Sequence, residues 1–145
     1  MKNTIAKISF FLLLFSLIAC EEIESEIPDV PVNINININD PLYRDLKTVG
    51  NSLAVTGGHA GIIIYRFSPT EFIAYDRLCP VEQKTSCRLQ ETDDDLFYTC
   101  QCCETPYLMI DGTGQSVDGE KVEGTGKFLK GYRTYLSGNN LRITN

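Results

Sequence analysis

Val32-Asn33-Ile34-Asn35-Ile36-Asn37-Ile38-Asn39 alternates apolar and polar residues without a break. A period of two puts the four aliphatic side chains on one face of a β-strand and the four asparagines on the other. Asp40-Pro41 ends the run. Outward from it, Ser52 to Thr56, Ile62 to Phe67, Phe72 to Tyr75, Phe97 to Thr99, Tyr107 to Ile110, Tyr132 to Leu136 and Leu141 to Thr144 are further short β-rich segments. Gly57-Gly58, Ser68-Pro69, Asp111-Gly112, Asp118-Gly119 and Ser137-Gly138-Asn139-Asn140 separate them. This punctuation predicts an all-β domain, a small antiparallel sandwich or barrel. Only Leu42 to Lys47 has a helical character, one or two turns long. The chain has no internal repeat, phosphate loop or heptad.

The first residues follow a different logic. Lys2 and Lys7 precede an apolar stretch from Ile8 to Ala19, with Phe10 to Phe15 at its heart. That is the build of a secretory signal, and at about 12 residues it is shorter than the roughly 20 needed to span a bilayer. Leu17-Ile18-Ala19-Cys20 resembles the lipobox of bacterial lipoproteins, which implies that residues 1–19 are removed and Cys20 carries diacylglycerol. Residues 20–30, rich in Glu, then read as an acidic tether to a domain over residues 31–145. The acidic cluster also resembles signals that send lipoproteins of some Gram-negative bacteria to the cell surface. These readings place the protein in the cell envelope, anchored in the membrane through its N-terminal lipid, on the periplasmic or the surface face. Loss of Lys2 and Lys7 moves the net charge from −6 to −8. Such a chain cannot neutralise phosphates, so nucleic acid is excluded as a partner.

Chemistry concentrates in two segments, Asp76-Arg77-Leu78-Cys79-Pro80-Val81 through Cys87, and Cys100-Gln101-Cys102-Cys103. Five of the six cysteines fall within 25 residues and are expected to meet in space. Export would put them where disulfides form and persist.

These residues resemble the Rieske iron-sulfur domains. Members of that family carry C-x-H in one loop and C-x-x-H in a second, plus an extra cysteine in each loop that bridges the two. Here Cys100-Gln101-Cys102-Cys103-Glu104-Thr105-Pro106-Tyr107 is followed by Asp111-Gly112, Gly124-Thr125-Gly126, Leu129, Tyr132 and Asn140-Leu141-Arg142-Ile143, in the family's spacing. The resemblance covers residues 31–145 and implies a Rieske-like fold. It places Cys79 and Cys100 at the cysteine ligand positions of a 2Fe-2S cluster. The histidine positions hold Val81 and Cys103, and the Gly-Ser turn after the second is Glu104-Thr105. Two imidazoles raise the Rieske potential to about −150 to +300 mV, against about −400 mV for thiolate ligation alone. Neither imidazole is present here.

Three readings of the sulfurs follow from the resemblance. In the first, Cys87 and Cys102 form the bridge, Cys79 and Cys103 form a second, Cys100 is left over, and no cofactor is bound. Each bridge would contribute about 2 to 4 kcal/mol by restricting the unfolded chain. In the second, Cys79, Cys100, Cys103 and one of Cys87 or Cys102 hold a 2Fe-2S cluster or a zinc ion. Thiolates suit both, but the x7, x12 and x2 spacings match no zinc pattern. In the third, the odd thiol serves redox exchange, although Cys100-x-x-Cys103 lacks the helix N-terminus that activates such thiols. The expectation taken forward is a disulfide-stapled binding or structural module, not an enzyme, with a possible protein partner in the envelope. A cysteine-ligated electron carrier is the alternative.

Other candidates have ordinary explanations. His59, the sole histidine, lies in Gly57-Gly58-His59-Ala60-Gly61, a turn far along the chain from both loops. Asp93, Asp94 and Asp95 lack EF-hand spacing and suit a solvated hairpin tip. Tyr65, Phe67, Phe72, Tyr75, Phe97, Tyr98 and Tyr107 sit in strand patterns and are expected in the core.

Overall fold

A computed structural model describes residues 27–93, 96–110, 114, 116–117 and 127–145. The signal, Cys20, most of the tether, Asp94, Asp95, Asp111-Gly112, Asp118-Gly119 and Gly124-Thr125-Gly126 lie outside these residues.

The described chain forms nine strands: β1 (Asn33–Asn37), β2 (Ser52–Val55), β3 (Ile62–Arg66), β4 (Phe72–Asp76), β5 (Leu89–Glu91), β6 (Phe97–Cys100), β7 (Pro106–Leu108), β8 (Gly131–Ser137) and β9 (Asn140–Thr144). Six of them make one antiparallel sheet in the order β1-β9-β8-β4-β3-β2, and β5-β6-β7 make a second. The all-β class expected from the alternation is therefore the one observed. One short 3-10 helix, Pro41–Lys47, follows β1 where the helical segment was expected; the Asp40 side chain accepts from the Leu42 amide at 2.9 Å and caps it. Among the described residues no helix is long and apolar enough to cross a membrane.

The asparagine ladder behaves as its period dictates. Val32, Ile36 and Ile38 are buried, Ile34 is partly buried, and Asn33, Asn35, Asn37 and Asn39 face outward. β1 pairs with β9 from Asn33 opposite Thr144 to Asn37 opposite Asn140. β8 and β9 turn through Gly138-Asn139, where the positive φ of 58° at Gly138 is what a two-residue hairpin needs.

Two cores lie on opposite faces of the large sheet. Ile36, Leu46, Ile62, Ile64, Ala74, Leu141 and Ile143 fill the first. Ile63 and Tyr75, one step along the same strands, point the other way and join Cys79, Cys87, Leu89, Tyr98, Cys100, Tyr107 and Met109 in the second. β3 reads as an unbroken apolar run, Ile62-Ile63-Ile64-Tyr65, because both of its faces are covered. The second core thus holds the cysteines against the central strands.

Three expectations need adjustment. Phe67 is 46% exposed, since the chain turns away after β3 through amides of Phe67 and Ser68 that both bond to the Glu71 carbonyl. Phe97 is only partly buried. β5 was not expected at all; with Leu89 as its sole apolar residue, it is made by its partner strand β6 rather than by its own pattern.

Candidate functional site

The two cysteine segments converge, and strand register is the reason. Leu89 of β5 faces Cys100 of β6, and the Gln101 amide donates to the Arg88 carbonyl at 3.0 Å. Continuing that register sets Cys87 across from Cys102, and a disulfide joins them with their Cα atoms 5.5 Å apart. On the other side, Leu78 bridges Arg88, and the Cys79 amide donates to the Cys87 carbonyl at 3.1 Å. Cys79, Cys87 and Cys102 therefore stand in one row across three neighbouring chain segments.

Both loops turn in the same way. The Gln83 amide returns to the Cys79 carbonyl at 2.8 Å, and the Glu104 amide returns to the Cys100 carbonyl at 2.9 Å. Gln83 (φ 50°) and Glu104 (φ 56°) are the non-glycine residues with positive φ among those described. Such a conformation is uncommon for residues with a Cβ and persists where the surroundings enforce it. In each case a cysteine opens a one-turn loop that a left-handed residue closes four positions later.

Cys79, Cys100 and Cys103 remain thiols. Their sulfurs all lie within 4.8 Å of one another, with Cys79 and Cys100 fully buried and Cys103 partly so. The expected Cys79–Cys103 bridge is thus not formed. Those two sulfurs are 3.7 Å apart, against about 2.04 Å for a disulfide, and Cys100 shares their hollow, so no single pair is selected. Cys102 is committed to Cys87.

The surroundings act unequally on the three. Burial pushes the Cys79 thiol up to about 12, helped by its hydrogen bond with Cys100 and opposed by amides of Glu82 and Val81 that donate to its sulfur. Burial also acts to raise Cys103, yet the Thr105 hydroxyl and amide, then Cys100 and Cys79, outweigh it and leave that thiol below its ordinary value. The Thr105 Oγ1 is 3.2 Å from the Cys103 sulfur. Tyr107 packs in the same cluster, wholly buried, with a hydroxyl that has no hydrogen-bond partner. Burial first, then the nearby thiols, raise its phenol well above the ordinary range.

Val81, at the position where the resemblance called for a histidine, packs its hydrocarbon against this cluster. His59 lies elsewhere, with Nε2 3.0 Å from the Pro28 carbonyl oxygen. A 2Fe-2S cluster needs four ligands. Among the described residues the hollow offers three, so the donor set does not fit that group. Two open grooves of about 390 Å³ each, one beside Phe67, Phe72 and Leu136 and one beside Gly57–Gly61 with Arg77 and Arg88, contain no thiol.

The residue that sequence reasoning passed over is Asp76, which closes β4 immediately before the first loop. It is wholly buried. Its Oδ2 accepts from the His59 amide at 2.6 Å and the Tyr132 hydroxyl at 2.7 Å, and its Oδ1 from the amides of Leu78 at 2.8 Å and Ala60 at 3.2 Å. It ties the glycine loop, β8 and the approach to Cys79 together. A single acidic residue ending the apolar run Phe72-Ile73-Ala74-Tyr75 was the available signal. The chain matches no known protein-family profile and no curated protein.

Proposed function

We propose that this protein is a lipid-anchored module of the bacterial cell envelope, Rieske-like in build, in which a disulfide-stapled pocket of thiols has replaced the two-histidine iron-sulfur centre. It binds or scaffolds, and does not catalyse. One observation supports this reading above the others: the cysteine loops meet and are bridged, but the converging side chains are three thiols with Val81 in place of an imidazole. A hydrocarbon at a ligand position suits a recognition surface better than an electron relay. The lipobox-like Leu17-Ile18-Ala19-Cys20 and the acidic residues after it supply the anchor and the tether. The alternative, a 2Fe-2S electron carrier with cysteine ligands, has the convergence of Cys79, Cys100 and Cys103 in its favour but lacks a fourth donor.

The test is the protein purified from its own envelope. A colourless sample without stoichiometric iron, an N-terminal peptide starting at lipid-modified Cys20, and a Cys87–Cys102 cross-link in the non-reducing peptide map are expected. Two irons per chain with visible absorption would refute the reading.

A further inference from the structure

We infer that Cys79, Cys100 and Cys103 form a binding site for one thiophilic d10 metal ion, Zn(II) or Cu(I), held by three thiolates with a coordination position left open. This rests on the reading that the two-iron centre is lost, and it names what the thiol pocket holds.

The spacing of the sulfurs carries the inference. Zn–S bonds of about 2.3 Å at tetrahedral angles set the sulfurs about 3.8 Å apart, and a trigonal ion with similar bonds about 4.0 Å apart. Cys79 and Cys103 are 3.7 Å apart, and Cys100 is within 4.8 Å of both. Three vertices of a single coordination sphere are in place, needing less than about 1 Å of further closure. A two-iron cluster would spread its ligand pairs over two metals on opposite sides of a diamond, which three sulfurs gathered this closely do not do.

The donors are soft, which favours Zn(II) and Cu(I) over hard cations. Groups around the sulfurs are arranged to receive thiolate charge. Amides of Val81 and Glu82 point to Cys79, and the Thr105 amide and hydroxyl to Cys103. The Tyr107 hydroxyl is an independent sign: it belongs to a fully buried phenol packed in the same cluster as the sulfurs and has no hydrogen-bond partner. A thiolate there would complete its hydrogen bonding, and donors of this kind orient and tune metal ligands. Access comes from the Cys103 side, where the sulfur is only partly buried. The Cys87–Cys102 bridge pins the two loops and withdraws Cys102 from the donor set. On binding, three S–M bonds form, the protons of the three thiols pass to solvent, and no electron is transferred.

The experiment uses the full chain carrying Cys20→Ser, so that the three site cysteines supply all its free thiols, handled without oxygen and without reductant to preserve the bridge. Cobalt(II) is the probe. Expected are sulfur-to-cobalt charge-transfer and tetrahedral d–d bands saturating at one ion per chain, displacement by one Zn(II), and protection of three thiols from a thiol reagent. Cu(I) is tested separately, by one-to-one competition against a chromophoric chelator. Cys79→Ser, Cys100→Ser and Cys103→Ser each abolish the charge-transfer band, while circular dichroism reports that the fold persists. Tyr107→Phe keeps the band and weakens cobalt binding about tenfold. Cys87→Ser/Cys102→Ser keeps the band, because neither residue is a ligand. Three titratable thiols that produce no cobalt band and bind no Cu(I), or a mass two units low showing a second disulfide, overturn the metal site and leave the proposed function standing. Two irons per chain overturn both.

Discussion

Asp76→Asn gives the most direct test of how the first cysteine loop is positioned. Each carboxylate oxygen of Asp76 accepts two hydrogen bonds, Oδ2 from the His59 amide and Tyr132 hydroxyl, and Oδ1 from the Leu78 and Ala60 amides. An asparagine has one accepting oxygen, so either orientation turns an NH2 group toward two donors. Two charge-assisted hydrogen bonds of about 1.5 to 3 kcal/mol each are then lost, and two buried donors are stranded. Relief of the desolvated charge offsets part of this, which leaves a net loss of about 3 kcal/mol. For a domain near 100 residues that lowers Tm by roughly 12 to 24 °C. Urea unfolding of the full chain, followed by circular dichroism, measures the loss. Hydrogen exchange at the His59, Ala60 and Leu78 amides locates it. A change below about 1 kcal/mol, or exchange that stays slow at all three amides, would show that Asp76 does not organise this region. Tyr132→Phe removes one of the four donors without creating a clash and is expected to cost about 1 to 2 kcal/mol.

Other consequences follow from the same geometry. Gly58→Ala destabilises the protein by more than about 1 kcal/mol in urea, because φ is +60° and a Cβ there would overlap Asp76 Oδ2 and lie 2.6 Å from the Tyr132 hydroxyl. Cys87→Ala/Cys102→Ala lowers stability by about 3 kcal/mol, the chain-entropy value for a loop of 15 residues, measured without metal. Iodoacetamide is expected to label Cys103 before Cys79 and Cys100, since its sulfur is partly exposed and its thiol lies below the ordinary value; equal rates by peptide mapping would contradict this. Alkali should destabilise the metal-free protein. The Cys79 thiol is at about 12 in the fold against 9.0 ordinarily, so its contribution is complete below pH 9 and disappears as pH rises toward 12. The phenols of Tyr98, Tyr107 and Tyr132, also raised by burial first, prolong the decline above pH 10, so Cys79→Ala removes only its onset in a pH series of urea midpoints.

Much of the strand pattern was legible because alternation is a local property. Val32 to Asn39 assigns its own faces, and Ile62 to Tyr65 and Leu141 to Thr144 each bury the apolar side chains their pattern marks. β5 was not legible, since Leu89-Gln90-Glu91 has no pattern and becomes a strand only by pairing with β6. Asp76 was not legible either. Its role depends on four donors, of which His59, Ala60 and Tyr132 come from chain positions 17, 16 and 56 residues away.

By itself the sequence determined that the chain is all-β and that five of its six cysteines gather in two segments. Composition and period suffice for both, because each is set by neighbours along the chain. Which sulfurs touch was decided only by the tertiary structure. The Leu89–Cys100 register sets Cys87 opposite Cys102, and the two one-turn loops then leave Cys79, Cys100 and Cys103 in one hollow. A shift of one residue in that register would turn every side chain of β6 to the other face and separate them.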